Sequence, residues 1–331
     1  MGFTFGRNIK VALGQEATYN FYVSPVAHGI YVPPDAVDIN PIKKMIEVGT
    51  SRGIAIDHIS DIGEGVKAWE GKLGPFQLSK EDMNWIFLNL LGTVTTTLIS
   101  GSYYKHIHKL STSTPKSLSG LFQHDLASVA NREWRGSGGM IKSLKLIFEL
   151  NKPIMVEIEL VGGTLLLAQT VGTAPTYSVP ASGLYFYTFA NGAFTINSIT
   201  DWNRVEITFT NTLAEGEELS YNYGSAERVR LEREGILITG TAKRLLNEET
   251  NLTAWTNLTT LTLDFLYGTL DTAAYAFNIN LDKLKLTEPP KRKGAGIGLF
   301  EETLTFKAFQ DTADTDNTII IQDTQVTPAT Q

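Results

Sequence analysis

Ser143-Leu-Lys-Leu-Ile-Phe-Glu-Leu-Asn-Lys-Pro-Ile-Met-Val-Glu-Ile-Glu-Leu160 is the stretch whose reading decides the fold class. Leu144, Leu146, Phe148 and Leu150 alternate with Lys145 and Glu149. An Asn151-Lys152-Pro153 turn follows. Ile154, Val156, Ile158 and Leu160 then alternate with Glu157 and Glu159. Side chains of a strand point to opposite faces in turn, so a period of two predicts a β-hairpin with one buried face and one wet, acidic face. The same pattern recurs over Arg204 to Leu213, with Val205, Ile207 and Phe209 inward, and at Leu304, Phe306 and Ala308. Asn191-Gly192, the favoured pair for a type I′ turn, predicts a hairpin over Tyr185 to Ile196. Helix is scarce. Ser79 to Leu91 places Met83, Ile86, Phe87, Leu90 and Leu91 on one helical face, with a Ser79/Asp82 capping arrangement and Gly92 as the stop. A weaker helix is expected over Glu248 to Asn257.

An internal repeat organises these elements. Gly92-Thr93-Val94 recurs as Gly268-Thr269-Leu270, and Met83, Ile86, Leu88 and Leu90 align with Leu258, Leu261, Leu263 and Phe265. Gly136-Ser137-Gly138 aligns with Gly294-Ala295-Gly296, and Ile141, Leu146 and Phe148 with Leu299, Leu304 and Phe306. Both glycine runs follow basic residues: Arg132 and Arg135 in one, Lys291, Arg292 and Lys293 in the other. Two copies are a duplication and not a solenoid. The expected architecture is mainly β: two similar sandwich or barrel domains, each with a short helix. The first spans 1–172, with an inserted loop at 111–135. The second spans 173–331 and ends in a polar tail.

Composition excludes several classes. Apolar residues make up 42% and charged residues 19%, a balance that can fill a core and is wrong for a disordered chain. The formal net charge of −7 is a poor match to tight duplex binding, which needs a concentrated basic face. The absence of cysteine removes disulfides, thiolate metal sites and a cysteine nucleophile, and fits synthesis in a reducing cytoplasm. No apolar run has the length of a membrane span or a signal-peptide core.

Residues with chemical potential form no constellation. His106 and His108 share one face of a strand and could ligate a metal only with a third donor, such as His124 or Asp125. Their spacing matches no metal signature, so solvated histidines are the expectation. Lys293 to Gly298 looks like a phosphate loop but precedes a strand instead of a helix. It reads as a hairpin arm, as does Gly136 to Gly139. No Gly-x-Ser-x-Gly elbow occurs. Of five tryptophans, only Trp134 reads as exposed; Trp69, Trp85, Trp202 and Trp255 are expected in cores or interfaces. These features predict a non-enzymatic, cofactor-free building block. The alternative is a β-sandwich that binds carbohydrate or a cell surface.

The order of features resembles the tail tube proteins (major tail proteins) of long-tailed bacteriophages in their two-domain form. Gly14-Gln15-Glu16-Ala17-Thr18-Tyr19 opens the series. Trp69 to Gly92 follows as strand, helix and Leu-Leu-Gly. Then come the His-containing strand Tyr103 to Leu110, the loop Pro115-Lys116-Ser117-Leu118, the glycine-rich arm and Ile141 to Leu150. Glu301 to Phe309 and a polar tail close the chain. The resemblance implies a virion protein of the phage tail, made in the host cytoplasm. Its rings would stack into a hollow tube through which DNA passes without specific binding. Three duplicated chains would give a pseudo-sixfold ring; a hexamer is the alternative. The tape-measure and other tail proteins are the implied partners. Glu157 and Glu159 are the expected lumen residues. Arg132, Trp134, Arg135, Lys291, Arg292 and Lys293 are the expected contacts between subunits.

Overall fold

A computed structural model describes residues 9–23, 28–30, 32–47, 62–77, 79–101, 103–110, 114–124, 132–170, 192–222, 225–246, 249–273, 275–294, 300–309 and 317–324. The chain is mainly β. In order, its elements are β1 (Ile9–Gln15), β2 (His28–Ile30), β3 (Val37–Glu47), β4 (Ile62–Gln77), α1 (Lys80–Leu91), β5 (Val94–Ser100), β6 (Tyr103–Lys109), β7 (Leu118–His124), β8 (Arg132–Glu149), β9 (Met155–Gly162) and β10 (Thr164–Thr170). There follow β11 (Gly192–Ile196), β12 (Trp202–Leu213), α2 (Glu217–Ser220), β13 (Arg233–Leu245), α3 (Thr250–Thr256), β14 (Leu261–Tyr267), β15 (Ala276–Leu286), β16 (Lys291–Gly294), β17 (Phe300–Ala308) and β18 (Thr318–Asp323).

Antiparallel ladders arrange the strands in three runs. The first runs β3-β4-β9-β8-β12-β13-β17. The second runs β11-β14-β15-β18-β6-β5. A short ladder of Leu284–Leu286 with Phe306–Ala308 joins the two. The third, β2-β1-β7-β8-β10, uses only the first part of β8. The predicted hairpin is β8–β9, with Lys145 opposite Glu157. Its inward residues Leu144, Leu146, Phe148, Val156, Ile158 and Leu160 are buried. Leu150 departs from the reading: the chain has left the strand there, and the side chain is half exposed.

The first two runs face each other across one apolar core. Phe148 and Phe209 from one meet Phe194, Phe265 and Phe277 from the other. The Phe148 and Phe265 centroids lie 4.7 Å apart, and Phe87 of α1 packs edge-on to Phe209. Each such ring contributes about 1.5–3 kcal/mol by leaving water.

Helix α1 begins as predicted, with Ser79 Oγ accepting from the Asp82 amide at 3.0 Å. It ends at Gly92, whose φ of 86° is the left-handed conformation that glycine adopts most easily. The helix is buried more completely than its apolar stripe foretold, for Asn84 and Asn89 lie inside as well. Its last carbonyls are capped from distant strands: Asn211 donates to the Leu90 oxygen, and Arg233 to those of Leu90 and Leu91. The weaker helix is α3.

The order hairpin, helix, hairpin, hairpin occurs twice: β3–β4, α1, β5–β6, β7–β8, and then β12–β13, α3, β14–β15, β16–β17. The residue-level repeat fails in one segment. Met83 to Leu90 are helical, whereas Leu261 to Phe265 form a strand. The segment read as an inserted loop carries β7, which pairs with β1 and β8. The two halves also share ladders, β8 with β12 and β6 with β18. The first half of the Tyr185–Ile196 hairpin and the glycine tip at 295–299 lie outside the described residues.

Candidate assembly surfaces

The face of the seven-stranded run that points away from the core is polar. Glu157 and Glu159 lie on it, the first half-buried and the second exposed. Glu157 is 3.5 Å from Lys72 and registers opposite Lys145. Glu159 accepts from Ser143 Oγ at 2.9 Å. Farther along, Glu206 pairs with Lys145 at 2.7 Å and with Arg204 at 2.6 Å, and Lys243 lies 3.7 Å from Glu301. Hydrogen bonds from Lys145 and Arg204 outweigh burial and hold the Glu206 carboxyl below its usual range. Because Val205, Ile207 and Phe209 point inward, Thr208 and Thr210 point outward, and the same alternation turns out Thr239, Thr241, Thr303 and Thr305. The acidic face read from the hairpin alone is therefore, across the whole run, a hydroxyl-rich surface with interleaved charges of both signs.

The basic glycine segments differ from a free arm. Gly136 to Gly139 lie within β8, between β7 and β10. Small residues are needed there because the Trp69 indole lies across them. A Cβ at Gly136 would stand 2.9 Å, and one at Gly162 2.1 Å, from ring atoms of Trp69. The indole N–H donates to the Ser137 oxygen at 3.0 Å. Arg135 is turned onto its own chain, pairing with Glu133 and stacking over Tyr22. Trp134 is half-buried and packs against the core, contrary to its exposed reading. Arg132 is the first residue of β8. Lys291, Arg292 and Lys293, with Gly294, form β16, where all four residues are exposed. Lys291 and Arg292 make surface pairs with Glu288 and Glu249.

The histidine pair is buried, not solvated. His106 and His108 are both 0% exposed. The His106 ring bridges Thr96 Oγ1 and Asp323, and Asn84 lies between Asp323 and His108 Nε2. Three of the four ring nitrogens are thus held by hydrogen bonds, leaving them no lone pair for a metal ion. Burial, with the neighbouring His106 second, pushes the His108 pKa down to about 3.

The sequence reading missed the most heavily bonded carboxylate. Glu16, 3% exposed, accepts from the Asn20 amide (2.9 Å), Ser117 Oγ (2.7 Å), Ser119 Oγ (2.8 Å) and the Gly138 amide (3.0 Å). Asn20 continues the network, accepting from Ser137 Oγ and the Thr164 amide and donating to the Arg228 oxygen. The Gly14 to Tyr19 motif thus pins the β1–β7 ladder to β8. Apart from the Asn20 amide, its partners lie 101 to 122 residues away, where no local spacing could reveal them.

Three tryptophans, Trp69, Trp85 and Trp202, are buried at 3% exposure or less. No helix among the described residues is long and apolar enough to cross a membrane. No curated protein matches the chain. A family model described as phage tail tube protein does match, over residues 6–308. The match covers nearly the whole chain and agrees with the mainly β, antiparallel build, so this protein belongs to the phage tail tube protein family and is a structural component of the tail.

Proposed function

We propose that copies of this chain form rings that stack into a hollow tube, with the polar face of the seven-stranded run lining the channel. Glu157 and Glu159 are then lumen residues. The observation that carries this assignment is the pairing of charges on that face, together with its threonines. Binding to DNA by counterion release needs uncompensated lysine and arginine. A wall whose cations are held by Glu157, Glu206 and Glu301 offers few of these, so a duplex slides past without sticking. The recurring order of elements supports the division into 1–172 and 173–331, and with it a trimeric ring of pseudo-sixfold symmetry over a hexamer. The hairpins β7–β8 and β16–β17 are the contacts to neighbouring copies, reached through Arg132, Trp134 and Arg135 in one and Lys291 to Lys293 in the other. The tape-measure and other tail proteins are further partners, and synthesis takes place in the host cytoplasm.

Substituting Glu157→Lys and Glu159→Lys tests the lumen assignment. Lys72, Lys145 and the two new cations would share one patch. Tubes seen by negative-stain electron microscopy should keep wild-type dimensions, while phage carrying the variant should eject DNA more slowly. Ejection at the wild-type rate would refute the assignment.

A further inference from the structure

Arg228 carries a buried charge that no group of the described residues neutralises. The residue is 5% exposed, and its Nε has no hydrogen-bond partner. Nη1 reaches only the Gly162 oxygen, at 3.5 Å, and the guanidinium carbon stands 5.7 Å from the centre of the Tyr221 ring. No carboxylate among the described residues pairs with it. Glu227, its neighbour in the chain, accepts instead from Thr164 Oγ1 at 2.8 Å. Burial raises the Tyr19 pKa, against the smaller opposing effect of the Arg228 charge, so this phenol stays neutral and supplies no anion. A charge taken out of water is costly unless it is paired, and a guanidinium has five N–H donors to place.

Arg228 also lines a cleft of about 250 Å³ on the outer face of the seven-stranded run. That volume is about eight times a water molecule's share of the liquid, enough for a ligand of several non-hydrogen atoms. The cleft wall carries charges of both signs. Its two lysines are already balanced, Lys142 by Glu215 at 2.9 Å and Lys72 by Glu157 at 3.5 Å. Lys43 and Lys44, farther along β3, do not line it. Asp38 is exposed and accepts from Asn40 Nδ2, and the exposed Glu70 has no partner among the described residues. What is left uncompensated is one buried guanidinium and, toward solvent, the carboxylates of Asp38 and Glu70. A plain anion such as phosphate would gain the guanidinium but be repelled by the two carboxylates.

From this arrangement we infer that the cleft binds a zwitterion: a carboxylate takes the planar fork of Arg228, and an ammonium group several atoms away is received by Glu70 and Asp38. The chemistry is that of an amino acid whose charges are spaced apart, free in solution or presented by neighbouring acidic and basic side chains of a peptide. The site is built within one chain and does not depend on how copies are arranged.

Ligand-observed NMR titrations of the full chain test the site with ε-aminocaproate, its two halves caproate and hexylamine, inorganic phosphate, and a short blocked peptide carrying one glutamate and one lysine. The zwitterion or the peptide should bind saturably, about tenfold tighter than caproate, hexylamine or phosphate. Arg228→Gln should abolish this binding. Glu70→Gln should weaken ε-aminocaproate severalfold and leave caproate unchanged; because Glu70 is exposed, this variant tests the site even if Arg228→Gln does not fold. Arg230→Gln, which alters an exposed arginine two residues on, should bind as wild type does. Tighter binding of the peptide than of ε-aminocaproate assigns the site to a polypeptide segment, and the reverse assigns it to a free amino acid. The inference is overturned if neither probe saturates, if phosphate binds more tightly than both, or if folded Arg228→Gln or Glu70→Gln protein binds ε-aminocaproate like wild type.

Discussion

Substituting Glu16→Gln removes a charge while keeping shape, and the structure sets the size of the effect. The carboxylate oxygens take two backbone N–H groups, from Asn20 and Gly138, and two hydroxyls, from Ser117 and Ser119. Hydroxyls can rotate to accept from an amide NH2; backbone N–H groups cannot reverse. With its NH2 in the place of Oε2 the Gln amide meets both backbone donors; in the place of Oε1 it meets Gly138, which keeps only its longer bond of 3.2 Å to the other oxygen. At the least the shorter Gly138 bond is lost, and the others weaken with the charge. Bonds to charged groups contribute about 1.5–3 kcal/mol each, and a buried donor left unmade costs about 1–3 kcal/mol. Neutralising the group also relieves the cost of burying a charge, which offsets part of the loss. The expected destabilisation is about 2–4 kcal/mol, a large share of the ~5–15 kcal/mol that holds a typical domain. Urea unfolding of unassembled protein, followed by tryptophan fluorescence, measures it. Trp69 is a suitable reporter because it lies over Gly136 and Gly139 and donates to Ser137, next to Gly138. A variant within about 1 kcal/mol of wild type would show that this carboxylate does not hold the β1–β7 ladder to β8.

Gly162→Ala should destabilise by about 1–3 kcal/mol, because its Cβ would fall 2.1 Å from Trp69 Nε1 and the indole would have to leave its hydrogen bond; a urea midpoint equal to wild type would contradict this. His108 makes stability depend on acid. Its folded pKa of about 3 lies below the unfolded value near 6.5, so its contribution is complete above pH ~6.5 and is lost as pH falls toward 3, by at most about 1.4 kcal/mol per pH unit. His108→Gln should flatten that slope in urea titrations at pH 7, 6, 5 and 4, and equal slopes for the two proteins would rule out the histidine as the source.

Much of the fold was legible because its signals are local. Alternation over Leu144 to Leu160 reports a strand wherever one face is buried, and Ser79, Asp82 and Gly92 satisfy a helix's own ends, so both readings survived folding. Leu150 failed because alternation does not say where a strand stops. The glycines at 136–139 read as an arm because a glycine run looks the same whether it frees the backbone or makes room for a ring. The ring, Trp69, lies 67 or more residues away. His106 and His108 read as solvated for a similar reason: their partners Asn84 and Asp323 come from α1 and from the far end of the chain. Glu16 is the extreme case, a carboxylate in a polar stretch whose partners, the Asn20 amide apart, become neighbours only once β7 and β8 are in place. Alternation put Glu157 and Glu159 on the side of the sheet away from the core, but Lys72, which pairs with Glu157, and Arg204, which pairs with Glu206, lie on strands whose register the sequence does not announce.

The interlocking of the halves bears on how a ring is built. Arg233 and Asn211, from the second half, cap the carbonyls of α1, from the first. Burial lowers the Arg233 pKa, and its guanidinium donates to those carbonyls. β18 is inserted between β6 and β15, and its Asp323 receives both His106 and Asn84. Each half therefore completes hydrogen bonds that the other leaves open, and separating them would bury or expose polar groups without partners, at about 1–3 kcal/mol apiece. Two packed sheets sharing one core cannot hinge between halves without breaking that core. In the proposed ring, the wall element supplied by one chain is thus rigid across its width, and any adjustment as the ring closes falls at the joints between chains and not at the middle of the subunit.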